Sequence, residues 1–185
     1  MTKIKIVKKF LNPDNKDFIT NTLLQPEFPY FLSDYDGNNK SDPSLPSYKF
    51  LVHSVLKRKE DRKQPGFNSV HTQQTLSILN NFFVKAGIKK VKFHRISYNY
   101  TFNIGVRKST IHMDHAYPHS QAIIYLTDTL DKNTPTVILN DKKKVIKKIY
   151  PEKDKGIIFS RTPHYHVFPK KGARLILVAT FEEVI

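Results

Sequence analysis

The run "GIIFSRTPHYHVFPKKGARLILVATF", residues Gly156 to Phe181, decides the fold. Its ends, "GIIFS" and "ARLILVATF", are short apolar segments rich in β-branched residues, and a Pro-x-x-Gly turn (Pro169 to Gly172) precedes the second. Reading outward toward the N-terminus, "KVIKKIY", "PTVILND", "QAIIYLTD", "KSTIHMD" and "VKFHRISYNYTF" repeat this texture, each run separated from the next by turn residues. That spacing predicts an antiparallel sandwich or barrel over residues 91–185.

Before Gly87 the texture is helical. In "LNPDNKDFITNTLLQP", Asn12 suits an N-cap and Pro13 the first helical position, where its missing N–H costs nothing. Phe18, Ile19 and Leu23 fall at helical spacing and Pro26 marks the stop. In "HTQQTLSILNNFFVKAG", Thr72 can cap, Leu76, Leu79 and Phe83 form one stripe, and Gly87 stands where a helix-ending glycine belongs. "YKFLVHSVL", Tyr48 to Leu56, alternates as a strand, and "SDYDGNNKSDPSLPS" between them reads as a mobile loop. Helices first and strands after predict an α+β chain with helices packed on one outer face. At 185 residues, with no internal repeat or linker, 1–185 is expected to be a single domain. Residues 1–90 would be a mainly helical support with one strand, and 91–185 the β-sandwich carrying the site.

Composition narrows the chemistry. Hydrophobic residues make up 39% of the chain, enough for a packed core. There is no cysteine, so disulfides and thiolate metal sites are excluded, and any metal must be held by imidazole and oxygen ligands. "MTKIKIVKKF" is basic without the apolar run of a signal peptide, and no window has the length of a membrane span. A soluble, intracellular (cytoplasmic) protein is the expectation. The formal charge of +15 favours attraction to nucleic acid or to an acidic partner. The lysines are scattered, however, and "KRKEDRK" and "DKKKVIKK" read as solvated loops or strand edges.

Five of the eight histidines fall in two windows, "IHMDHAYPH" (His112, His115, His119) and "HYH" (His164, His166). Side chains two apart on a strand share a face, so His112 and Asp114 could bite one metal ion together. A third ligand from His164 or His166 would make two imidazoles and one carboxylate on one face of an octahedron. That leaves positions open for substrate and oxygen. Arg174 opens the last apolar strand, and a buried arginine beside a metal pocket calls for an anionic partner such as a dicarboxylate.

The motifs "HMD", "AIIYLTD", "TPTVIL", "GIIFSRTPHYHVFP" and "GARLILVATF", in this order over the last half of the chain, resemble the Fe(II)- and 2-oxoglutarate-dependent oxygenases. The prolyl-4-hydroxylase-like branch, with its phage-type members, is the most similar. The resemblance implies a double-stranded β-helix (jelly-roll, cupin-like) core. It implies Fe(II) held by His112, Asp114 and a distal histidine, with 2-oxoglutarate and O2 as co-substrates. Arg174 and Tyr125 would hold the far carboxylate of 2-oxoglutarate, and Asn99 or Tyr100 would reach the keto-acid or an iron-bound water. The family pattern His-x-Val-x-Pro is not met from either candidate. Arg174 lies ten positions beyond His164 and eight beyond His166. The arginine spacing and the "SRTPH" context favour His164, with His166 as the alternative. "NTPT" also stands where the family has Gly-Gly before the threonine. His115 and His119 read as rim or surface residues, with His119 at the substrate mouth as the sharper reading.

The implied activity is hydroxylation of an unidentified substrate, a protein residue or a small molecule, with release of succinate and CO2. A basic mouth would welcome an acidic substrate. The alternatives are a non-enzymatic basic β-fold protein that binds nucleic acid or an acidic partner, and a hydrolytic metal site.

Overall fold

The computed structural model describes residues 3–35, 48–61 and 66–184. Among these residues, fourteen successive elements begin with strand β1 (Lys5–Lys8), helix α1 (Pro13–Phe18) and a π-helical turn (Ile19–Leu23). Strands β2 (Phe31–Tyr35) and β3 (Tyr48–Leu56), a 3-10 turn (Lys59–Asp61) and helix α2 (Thr72–Ala86) follow. The second half contains β4 (Val91–Phe102), β5 (Ser120–Tyr125), β6 (Thr136–Leu139), β7 (Val145–Ile149), β8 (Lys155–Ser160), β9 (His164–His166) and β10 (Ala173–Glu183).

Asn12 caps α1, its Oδ1 accepting from the Asn15 N–H at 2.8 Å, with Pro13 in the first turn. Gly87 ends α2 in the left-handed conformation at φ 70°, which spares a side chain the strain. Thr72 is the first helical residue of α2, not its cap. The cap position is His71, without a side-chain capping bond, and Ser69 braces it, its Oγ accepting from the His71 N–H and its carbonyl from the Thr72 hydroxyl.

All strand pairs are antiparallel. A seven-stranded sheet runs β1-β8-β5-β10-β4-β3-β2 and faces a three-stranded sheet, β7-β6-β9. This is the expected jelly-roll core with helices on one outer face. The first ninety residues supply three strands to the large sheet where the sequence pattern showed one. β1 and β2 are only 4 and 5 residues long and lack clear alternation. Of the loop expected at Ser33 to Ser47, Ser33 to Tyr35 form the end of β2, and 36–47 lie outside the described residues.

Alternation along the strands divides the apolar residues into two cores. Ile96, Tyr98, Ile124, Leu175, Leu177 and Phe181 face the helices, packing on Ile19, Leu23, Ile78, Leu79 and Phe82. Each such side chain, fully buried, contributes roughly 1.5–3 kcal/mol. A Cβ at Gly156 would overlap the Phe82 ring, so glycine lets β8 and α2 approach closely. Between the sheets a smaller core gathers Ile123, Tyr125, Ile138, Ile149, Ile157, Phe159, Ile176 and Val178. It leaves room beside it for a cavity.

The stretch "KSTIHMD" is not a regular strand. It runs extended and joins the rest through two isolated bridges, Lys108 to Val167 and His112 to His164. The second is reciprocal, His112 N–H to His164 O and His164 N–H to His112 O, both 3.0 Å. Two segments about fifty residues apart in sequence are thereby clamped side by side.

Candidate metal centre

His112, Asp114 and His164 each offer a ligand atom, and these atoms lie within 4.8 Å of one another. Each imidazole is oriented from behind by the carbonyl two residues earlier. His112 Nδ1 lies 2.9 Å from Thr110 O, and His164 Nδ1 lies 3.0 Å from Thr162 O. A carbonyl only accepts, so Nδ1 carries the proton and the Nε2 lone pair faces the cluster.

Asp114 is buried. Its Oδ1 accepts from Arg95 Nη1 at 3.0 Å, with Arg58 Nη2 further off at 3.9 Å. Burial is the strongest single influence on its pKa and works against ionisation. His164, Arg95, His112 and Arg58 outweigh it and hold the carboxyl below the ordinary range. Oδ2 has no hydrogen-bond partner and stands 3.5 Å from His164 Nε2. Burial, and then His112, push His164 down to about 4, so it is neutral at pH 7. Two buried lone pairs thus confront each other, an arrangement a cation between them would relieve. Two imidazole nitrogens and one carboxylate oxygen suit a divalent transition metal.

The cluster opens into a cavity of about 360 Å³ between the sheets, lined in part by Asn99, Thr101, Gln121, Thr136 and His166. No family profile matches the sequence, and no curated protein is detectably similar to it in sequence. Solved structures are similar. An oxidoreductase of the 2OG-Fe(II) oxygenase family from Burkholderia pseudomallei superposes with a TM-score of 0.72 at 15% identity, over 99% of this chain and 85% of that one. The viral collagen prolyl hydroxylase of Paramecium bursaria Chlorella virus-1, in its 2OG complex, gives 0.57 at 16% identity over 98% and 96%. A prolyl-4-hydroxylase from Pseudomonas putida gives 0.58 at 13% identity over 97% and 92%.

The fold is that of the 2OG-Fe(II) oxygenases.

Within this 2OG-Fe(II) oxygenase fold, the two candidate distal histidines occupy different places. His164, not His166, joins the cluster with His112 and Asp114. His166 lies one step further along β9, on the cavity wall, its ring 4.7 Å from Phe168. Burial, followed by the nearby Arg174, pushes its pKa well down. Arg174 is fully buried. Its Nη1 donates to Thr134 O at 2.7 Å, while Nε and Nη2 have no hydrogen-bond partner. Such donors are costly to leave unmet. The Tyr125 hydroxyl, electrostatically coupled to Arg174, donates to Thr136 Oγ1 at 2.8 Å. Thr136, the acceptor for the Tyr125 hydroxyl, lines the cavity together with His166.

Alternation on β4 separates Asn99 from Tyr100. Asn99 lines the cavity and accepts from Ser97 Oγ at 3.0 Å. Tyr100 points to the helix side, 5.8 Å from the Tyr30 ring, so the alternative that it reaches the cofactor is corrected. The rim or mouth position expected for His115 and His119 is also corrected, since both are buried. His115 Nε2 pairs with Thr180 Oγ1 at 2.7 Å, and its ring lies against Tyr117 and His119. His119 Nδ1 faces Tyr117 O at 2.9 Å, and His119 does not line the cavity. Sequence pattern missed Arg58, Arg95 and Gln121. "KRKEDRK" looked solvated, yet Arg58 turns onto the cavity wall, and Gln121 Nε2 comes within 3.4 Å of His164 Nε2.

Proposed function

We propose that this chain is an Fe(II)- and 2-oxoglutarate-dependent oxygenase that hydroxylates its substrate and releases succinate and CO2. The observation that carries the reading is the buried face-off of His164 Nε2 and Asp114 Oδ2 at 3.5 Å, with His112 beside them. His112, Asp114 and His164 would hold iron through one face of its coordination sphere. When bound, iron supplies the redox chemistry that couples decarboxylation of the keto-acid to oxidation of a C–H bond. The chain's residues bind and orient. The Thr110 and Thr162 carbonyls fix both imidazole tautomers, and Arg95 keeps Asp114 ionised. Arg174 would meet the far carboxylate of 2-oxoglutarate with the two donors it leaves unpaired, assisted by Tyr125, and Asn99 would contact the keto-acid end. Ile123, Ile176 and Val178 give the cavity an apolar wall.

Residues 1–185 would act as one domain, with the helices of the N-terminal half bracing the large sheet. A non-enzymatic basic binding protein would not need lone pairs facing each other in a cavity. The test is Asp114→Ala, which should abolish succinate formation from 2-oxoglutarate, because two imidazoles alone hold Fe(II) poorly. Undiminished turnover in that variant would remove the site from consideration.

A further inference from the structure

The inner face of the large sheet carries arginines at both ends. Arg174 on β10 pairs in register with Thr101, and Arg95 on β4 pairs with Thr180. Arg95 and Thr101 are six residues apart on one strand, a separation of about 20 Å. Arg174 therefore cannot serve the end where Arg95 sits. His164 and His166 lead along β9 from the metal cluster toward Arg174, which gives that direction to the co-substrate. The opposite end has its own cations on the cavity wall, Lys57, Arg58 and Arg95, with the carboxylates Asp61 and Asp114.

These cations are not equivalent. Arg95 is hydrogen-bonded to Asp114 at 3.0 Å, which suffices to keep that carboxylate charged. Arg58 stands 3.9 Å from the same oxygen, beyond hydrogen-bond length, with its side chain 24% exposed. Among the described residues its guanidinium makes no hydrogen bond. Its backbone is nevertheless pinned, since Arg58 O accepts from the Asp61 N–H at 3.0 Å in the 3-10 turn. Arg58 is thus the cation on this wall whose donors are not engaged by Asp114. A guanidinium with unused donors, carried on a pinned backbone at the wall of this cavity, is a receptor for a planar or tetrahedral anion.

We propose that Arg58, supported by Lys57 and Arg95, forms an anion-binding subsite that selects a substrate bearing a carboxylate or phosphate group close to the carbon that is oxidised. This rests on the oxygenase reading above. The test loads the protein with Mn(II) and 2-oxoglutarate, so that no turnover occurs, and titrates inorganic phosphate or acetate. Paramagnetic relaxation of the probe's 31P or 13C nucleus reports binding near the metal. A saturable enhancement is expected. It should weaken at least tenfold in Arg58→Gln and recover in part in Arg58→Lys, with Mn(II) and 2-oxoglutarate affinities moving less than twofold. Tighter phosphate than acetate assigns a phosphorylated substrate, and the reverse order a carboxylate. No saturable binding of either anion, or equal binding by Arg58→Gln and wild type, overturns the subsite. The same titration of metal-free protein, read by the arginine Nε–H shifts, separates the two readings. Anion-dependent shifts at Arg58 in a protein that takes up no metal would sink the oxygenase reading and leave the subsite standing.

Discussion

The two faces of the seven-stranded sheet are built from the same strands and do opposite work. On the helix side, Ile96, Tyr98, Leu175, Leu177 and Phe181 are fully buried, and the polar atom of Tyr98 is matched by Thr75 Oγ1 at 2.8 Å. One residue along on the same strands, the inner face presents Arg95, Asn99, Thr101 and Arg174, with two guanidinium nitrogens of Arg174 unmatched. The helix face is closed and satisfied, as a core should be. The inner face leaves buried polar groups waiting for partners, which marks it as the binding face.

The sharpest way to break this division is to lose metal without losing the fold. His164→Ala should abolish stoichiometric Fe(II) binding while leaving far-UV circular dichroism unchanged, and His166→Ala should keep a full equivalent of metal. Equal metal loss in both variants would reopen the choice of distal ligand. Next in size is the helix face. Phe82→Ala should cost about 3–5 kcal/mol in denaturant unfolding, yet leave Fe(II) stoichiometry intact at low temperature. A smaller but two-signed effect is expected at Arg174. Arg174→Met should not lower the stability of the ligand-free protein, because it removes a buried cation with unmet donors. It should erase the rise in Tm that 2-oxoglutarate gives the wild type, and raise half-saturation about thirtyfold, roughly 2 kcal/mol. The smallest contrast lies between neighbours on β4. Asn99→Ala should shift 2-oxoglutarate half-saturation a few-fold, and Tyr100→Phe should leave it unchanged in the same assay.

Much of this division was legible in sequence because period-two alternation is a local property. β4 and β3 appear with the bounds their patterns suggested, and the Lys-rich β7 is the exposed edge expected of "DKKKVIKK". Arg174 was found because a cation opening an apolar strand is anomalous wherever the strand packs. The resemblance was needed to weigh His164 against His166, since both share a face of an extended segment. The reciprocal bridge to His112 and the clustering of ligand atoms separate them. The buried partner of His115 comes from β10, which supplies Thr180 some sixty residues later, and no local pattern carries that. Arg58 was hidden for the same reason. Its run looks solvated, yet around the 3-10 turn at Lys59–Asp61 the residues Lys57, Arg58 and Asp61 line the cavity.

The most direct test is anaerobic. Fe(II) and 2-oxoglutarate should be added to the wild type and to Asp114→Ala while the weak visible charge-transfer absorption of the iron–keto-acid chelate is followed. A band that saturates at one equivalent of iron is expected in the wild type, and none in the variant. A wild-type protein that develops no band, or a variant that develops the same one, would contradict the oxygenase reading.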